Sequence, residues 1–199
     1  MKIKVYLINT NKIDIDNLLN SPFISEEDKM SFLNFTNETT RKEKVASQYL
    51  KRRFVGDYYI DKHGKPLSNN VFFNISHSHG VVVIAINDEY PIGVDIEKVR
   101  KADQKLINYV CNQTELERIK TELDFYKIWT TKEALLKAIG TGINTKMKDV
   151  PGLFLNQKQE YLNKTFISKT TIFEDYVITL VLETKKDIEI NIAVEVIFE

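Results

Sequence analysis

Hydrophobic and polar positions alternate at the start of the chain. Ile3, Val5 and Leu7 fall on one side, and Lys2, Lys4 and Tyr6 on the other. A period of two marks a half-buried strand. Polar helices are predicted at about 25–33 and from residue 39 or 40 to about 54. Gly64 and Pro66 make 61–66 a turn. Residues 71–75 read as a short apolar run, and 76–80 as a polar loop. The β-branched run 81–86 is too short for a helix and reads as a buried strand. Residues 92–97 alternate again, with Val94 and Ile96 on one face and Asp95 and Glu97 on the other. Across the turn at 87–91 these two runs predict a β-hairpin.

Further on, helical patterns cover 103–110 and begin again at Thr114, where Thr114-x-x-Glu117 has the form of a capping box. The strongest helix runs over about 124–139 and stops at Gly140. Residues 176–182 and 188–198 read as strands joined by the polar turn 183–187. Strand, helix and hairpin thus occur twice, with a divide near residue 100. That order predicts an α+β fold of two related halves, 1–100 and 101–199. No Pro-rich or low-complexity linker separates them.

Composition narrows the classes. The chain has 199 residues, 43% of them hydrophobic, enough for a real core rather than a disordered tail. The 28 basic residues balance 28 acidic ones, which argues against a nucleic-acid coat. No apolar run reaches the ~18 residues of a membrane span, and the first residues lack a signal-peptide core. A lone cysteine, Cys111, makes neither an internal disulfide nor a cysteine-based zinc site. These features fit a cytoplasmic protein.

Four segments carry chemistry. In Gly93-Val94-Asp95-Ile96-Glu97 the period of a strand puts two carboxylates side by side, hard oxygen ligands of the kind Mg²⁺ takes. In Trp129-Thr130-Thr131-Lys132-Glu133 through Gly140, a helical wheel gathers Phe125, Ile128, Trp129, Leu135, Leu136 and Ile139 on one face. Lys132 falls in the middle of that stripe, with Glu133 at its border and Lys137 one turn beyond. A charge inside an apolar stripe breaks the pattern, as functional sites do; snorkelling to solvent is the plain alternative. In 41–53, six basic residues accompany one acidic residue, Glu43, a local patch suited to a phosphorylated ligand. In Asn74-Ile75-Ser76-His77-Ser78-His79, hydroxyls and imidazole suit a phosphate better than zinc, which lacks further ligands here.

The order of these segments resembles the Sfp-type 4′-phosphopantetheinyl transferases. It runs His63-Gly64-Lys65-Pro66, Asn74-Ile75-Ser76-His77-Ser78, Gly93-Val94-Asp95-Ile96-Glu97, then Trp129-x-x-Lys132-Glu133-x-x-x-Lys137-x-x-Gly140-x-Gly142. The resemblance implies an enzyme that moves the 4′-phosphopantetheine arm of coenzyme A to a serine of an apo acyl or peptidyl carrier protein, releasing 3′,5′-ADP. It also implies a pseudo-dimer of two similar halves packed around a coenzyme A cleft, acting as a monomer. Asp95, Glu97 and Glu133 match the Mg²⁺ positions. Ser76 and His77 match a phosphate grip, and Gly64, Lys65 and Pro66 a segment beside the adenine and 3′-phosphate. Lys132 and Lys137 match lysines near the phosphates, so Lys132 is expected to face the cleft. Arg41 and Lys44 are expected at the 3′-phosphate. Glu133 is the expected base toward the carrier serine, directly or through a water held by the cation. Fatty-acid, polyketide and nonribosomal-peptide carriers all fit. The competing reading is a Mg²⁺-dependent nuclease or phosphohydrolase built on Asp95, Glu97 and Glu133.

Overall fold

The computed structural model describes residues 1–62, 64–140, 146–154 and 157–198. His63 and Gly142, which belong to the sequence motifs above, lie outside the described residues. In chain order the elements are β1 (Lys2–Asn9), α1 (Asp16–Leu19), α2 (Glu26–Phe32), α3 (Glu38–Phe54), β2 (Tyr59–Ile60), β3 (Pro66–Leu67), β4 (Phe72–Ser78), β5 (Val81–Asn87) and β6 (Ile92–Lys98). Then follow α4 (Gln104–Val110), α5 (Gln113–Leu116), α6 (Glu122–Ile139), a 3-10 turn (Met147–Asp149), β7 (Lys158–Tyr161), β8 (Lys164–Phe173), β9 (Tyr176–Glu183) and β10 (Asn191–Val196). Among the described residues no helix is long and apolar enough to cross a membrane.

Two four-stranded sheets form, ordered β10-β1-β5-β4 and β6-β9-β8-β7. The alternation of each strand decides what its faces meet. Ile3, Val5, Leu7, Val81, Val83 and Ala85 of the first sheet pack against Ile92, Val94, Ile96, Ile178, Leu180 and Leu182 of the second. The outer face of the first sheet, with Ile8, Val82 and Ile84, lies under α3 through Val45, Ala46, Tyr49 and Leu50. The outer face of the second, with Phe166, Val177 and Val181, lies under α6 through Phe125, Leu135 and Ala138. The layers are therefore helix, sheet, sheet, helix.

The mixed α+β class is as expected, while several local expectations are corrected. β5 and β6 do not form a hairpin. β5 pairs with β1 and β4, and β6 pairs antiparallel with β9. Their apolar faces meet across the shared core, so the chain changes sheets at 88–91. β10 likewise leaves β9 and pairs in parallel with β1. Residues 76–78, expected as loop, continue β4. α5 starts at Asn112 with a capping box to Glu115, not at Thr114.

Candidate active site

β4 and β6 are edge strands of different sheets, and they run alongside each other in the same sense. Side chains rather than a backbone ladder join them. Asn74 Oδ1 accepts from the Val94 N–H at 3.0 Å, Ser76 Oγ donates to Asp95 Oδ1 at 2.8 Å, and Ser78 Oγ donates to Glu97 Oε2 at 2.7 Å. Polar residues two apart on β4 thus read carboxylates two apart on β6. The signal was present as Asn74, Ser76 and Ser78 in one strand period, but Ser78 was not singled out.

α6 brings the remaining groups. A capping box of Thr121 and Asp124 starts it and a left-handed Gly140 (φ 82) ends it. It lies directly on β6 at Gly93, where a Cβ would fall 1.9 Å from the Ala134 carbonyl oxygen and 2.5 Å from the Ala138 nitrogen. Only glycine permits that approach. Lys137 then reaches the strand edge, its Nζ 2.6 Å from Asp95 Oδ1 and 2.8 Å from Ser76 Oγ.

The local charge is predominantly negative. Burial, then the charge of Asp95, with Glu133 in the same direction, pushes the Glu97 carboxyl up to about 7; Ser78 and Lys137 pull the other way. Glu133 is raised too, by burial first and then by Asp95, with Lys137 opposing. Asp95 is 4% exposed, and its Oδ2 is buried with no hydrogen-bond partner among the described residues. An orphaned buried carboxylate oxygen is costly and is a free ligand position. Hard oxygens crowded with like charge suit Mg²⁺, so the donor set fits that ion. As they stand, no three acidic, histidine or cysteine side chains among the described residues are placed to hold a metal ion together; the Lys137 ammonium is the cation at Asp95.

His77 projects from the opposite face of β4. Its Nδ1 lies 3.1 Å from Glu43 Oε2 on α3. Glu43 Oε1 also accepts the Gly80 N–H at 2.7 Å. Burial alone would raise Glu43, but these hydrogen bonds and the charges of His77 and His79 hold it below the ordinary carboxylate range. With Nδ1 turned to Glu43, the other ring nitrogen of the exposed His77 is left for a ligand. Glu43 escaped the sequence reading because it stood as the one acid in a basic run. A cavity of about 350 Å³ beside this group is lined by Glu43, His77, Ser78, His79, Glu97, Arg100, Leu106, Tyr126 and Trp129. A larger one, about 770 Å³, lies on the other flank of α6; its one carboxylate, Asp124, accepts from the Thr121 N–H and hydroxyl in the helix cap.

The other expected site residues are placed as follows. Lys65, between the exposed Gly64 and Pro66 of β3, donates its ammonium to the Lys137 carbonyl at 2.6 Å and so caps the C-terminus of α6. Burial holds its pKa below the ordinary lysine value. Arg41 and Lys44 flank Glu43 on α3, Lys44 exposed, and neither forms an ion pair among the described residues. Lys132 does not face the cleft. It is 0% exposed, with its Nζ 2.6 Å from Glu115 Oε2, 2.7 Å from the Val110 carbonyl and 2.8 Å from the Met147 carbonyl. The apolar stripe is covered there by α4, α5 and the 3-10 turn, so the ammonium finds its partners inside the protein rather than on phosphate. The structure therefore joins Ser76, Asp95, Glu97, Glu133 and Lys137, links His77 through Glu43, and sets Lys132 apart.

Residues 91–181 match the model of the 4′-phosphopantetheinyl transferase superfamily, a stretch that includes Asp95, Glu97, Glu133 and Lys137. The chain is 28% identical over 152 residues to 4′-phosphopantetheinyl transferase gsp of Aneurinibacillus migulanus, covering 67% of this chain and 63% of that protein. It is 25% identical over 166 residues to 4′-phosphopantetheinyl transferase psf-1 of Bacillus pumilus, covering 71% of each. It is 31% identical over 153 residues to 4′-phosphopantetheinyl transferase Sfp of Bacillus subtilis (strain 168), covering 61% of this chain and 67% of that protein. The matched stretches thus span roughly two thirds of these relatives' lengths. With these matches laid over the carboxylates at the β4–β6 seam, the chain belongs to the 4′-phosphopantetheinyl transferase superfamily.

Proposed function

We propose that this protein transfers the 4′-phosphopantetheine arm of coenzyme A to the serine hydroxyl of an apo carrier protein and releases 3′,5′-ADP. One observation carries the reading beyond family membership. The Asp95 carboxylate stands buried where β4, β6 and α6 meet, one oxygen held by Ser76 and Lys137 and the other unpaired.

Both sheets supply an edge to this seam. β1-β5-β4 in one and β6-β9-β8 in the other have the same order, each with a long helix between its first strand and its last two. We read the two sheets with their helices as two similar halves that close one site within one chain, a pseudo-dimer that serves as a monomer; because β6 pairs with β9 and β10 returns to β1, the divide falls at 88–91 rather than at residue 100.

In the reaction, the serine Oγ forms a bond to the phosphorus next to pantetheine while the bond from that phosphorus to the ADP oxygen breaks. Asp95, Glu97 and Glu133 would hold Mg²⁺, which would supply neutralisation of the diphosphate as charge builds on the departing ADP. Lys137 brings a second positive charge to the same place. His77, oriented by Glu43, offers its outer nitrogen to a phosphate oxygen. Glu133, pushed upward by burial and by Asp95, is suited to take the serine proton, directly or through water. Arg41 and Lys44 stand beside Glu43 for the 3′-phosphate.

Incubation with coenzyme A, Mg²⁺ and a panel of apo carriers, followed by mass spectrometry of the carriers, tests the reading. The expected result is a gain of one phosphopantetheine unit. No gain on any carrier, with cleavage of nucleic acid instead, would replace the transferase by a hydrolase.

A further inference from the structure

We propose that Lys132 and Glu115 form a positioning pair: a buried clamp that fixes the rotation of α6 and thereby sets Glu133 and Lys137 over Asp95. The proposal rests on the transfer site described above and assigns to Lys132 a role away from the reacting groups.

Successive residues on a helix point about 100° apart, so Lys132 and Glu133 cannot serve the same surface. On the side of β6, α6 touches the strand at Gly93, against Ala134 and Ala138. That contact sets the distance between helix and sheet, and Phe125, Leu135 and Ala138 pack the same side on Phe166, Val177 and Val181. Lys132 anchors the helix on its other side. Its ammonium has three N–H groups and three acceptors: Glu115 Oε2, the Val110 carbonyl at the end of α4, and the Met147 carbonyl in the 3-10 turn. Glu115 is equally committed, Oε2 accepting also from the Asn112 N–H and Oε1 from the Gly152 N–H, both at 2.9 Å. A dry charge cluster with every donor and acceptor matched has one favourable arrangement, because any displacement leaves a buried charge unpaired. The clamp thereby ties α6 to three other segments of the chain.

Gly152 seals it. A Cβ there would lie 2.6 Å from Ile128 Cγ2, 2.8 Å from Lys132 Cε and 2.9 Å from Glu115 Oε1. Gly152→Ala therefore disturbs the clamp while keeping both charges. The double variant Lys132→Met with Glu115→Gln removes both charges together and leaves neither ion unpaired.

The test measures three things on the full chain of each variant: the thermal midpoint, kcat and KM for coenzyme A, and amide exchange over residues 133–139. In a folded variant, kcat is expected to fall about tenfold or more, the scale of a slightly misplaced catalytic group. KM for coenzyme A should stay within about threefold, since no coenzyme A contact is removed. Exchange at 133–139 should quicken. A folded variant with wild-type kcat and unchanged exchange would overturn the clamp. If wild type itself transfers nothing, the transferase reading fails, and the exchange data decide the clamp alone. If neither variant folds, wild-type exchange decides it: amides of 146–152 and of α6 should open together, and separate opening would contradict the proposal.

Discussion

The two flanks of α6 carry two ionic clusters from adjacent residues of one motif, and they are built oppositely. On the flank of Lys132, every polar atom is matched: Lys132 and Glu115 are 0% and 3% exposed in their side chains, and each has its full set of partners. On the flank of Glu133, charge is left over. Asp95 keeps a buried oxygen with no partner among the described residues, Glu97 is pushed up to about 7, and Glu133 is raised, with Lys137 as the cation at Asp95. A saturated cluster holds one shape. An unsaturated one is strained until something positive arrives, and such strain is characteristic of a site. Burial of charge alone does not separate the two; the count of unmet partners does.

The sharpest way to break the comparison is Lys132→Met. It strands the Glu115 carboxylate, and about 3–5 kcal/mol of stability should be lost, read as a large drop in the denaturation midpoint. A neutral or stabilising Met would show that Lys132 is an ordinary stripe residue. Gly93→Ala comes next. Its Cβ would overlap the backbone of α6, so roughly 3 kcal/mol of stability and most activity should go. Full activity there would mean that the close approach of α6 to β6 does not matter.

How much of this was legible in the sequence depends on the range of the signal. Alternation in β1 and β6 and the Gly140 stop of α6 are local, and the sequence pattern located them; the N-caps Asn37 of α3 and Thr121 of α6 lie two or three residues before the starts it gave. The carboxylate pair of Asp95 and Glu97 follows from a strand period. Lys132 was visible as a misfit in an apolar stripe, but its partner Glu115 lies on another helix, and no wheel shows what covers a helix. The assignment to phosphate failed for that reason. The false hairpin of β5 and β6 had the same origin: two neighbouring apolar runs look alike whether they pair edge to edge or pack face to face. β8 went unseen because Lys164–Phe173 mixes threonine and lysine into both faces.

Smaller effects sharpen the cleft side. Glu43→Gln removes the carboxylate that orients His77 and accepts the Gly80 N–H. A hydrogen bond to a charged group contributes about 1.5–3 kcal/mol, so transfer should slow about tenfold or more. Because Glu43 is held below its ordinary value of 4.5 in the fold, its contribution is present above that pH and is lost as pH falls through the lower folded value. Acid melts should therefore show wild type losing more stability than Glu43→Gln; parallel acid limbs would show that Glu43 is not held low. The smallest change is expected for Lys44→Ala. It should raise KM for coenzyme A about fivefold, the size of an exposed charge contact, and affect dephospho-coenzyme A less. Equal losses with both substrates would remove Lys44 from the 3′-phosphate.

Asp95→Asn tests the central claim most directly, in a paired rate and melting measurement. The variant keeps the shape and the Ser76 contact while removing one charge from the unsaturated cluster. Transfer to an apo carrier should slow on the order of a hundredfold or more. The melting midpoint without Mg²⁺ should stay close to wild type, because the lost Lys137 pair is offset by relief of Glu97 and Glu133. The further stabilisation from Mg²⁺ with coenzyme A should shrink. Near-wild-type turnover with an undiminished Mg²⁺-dependent shift would contradict the assignment of the site to Asp95.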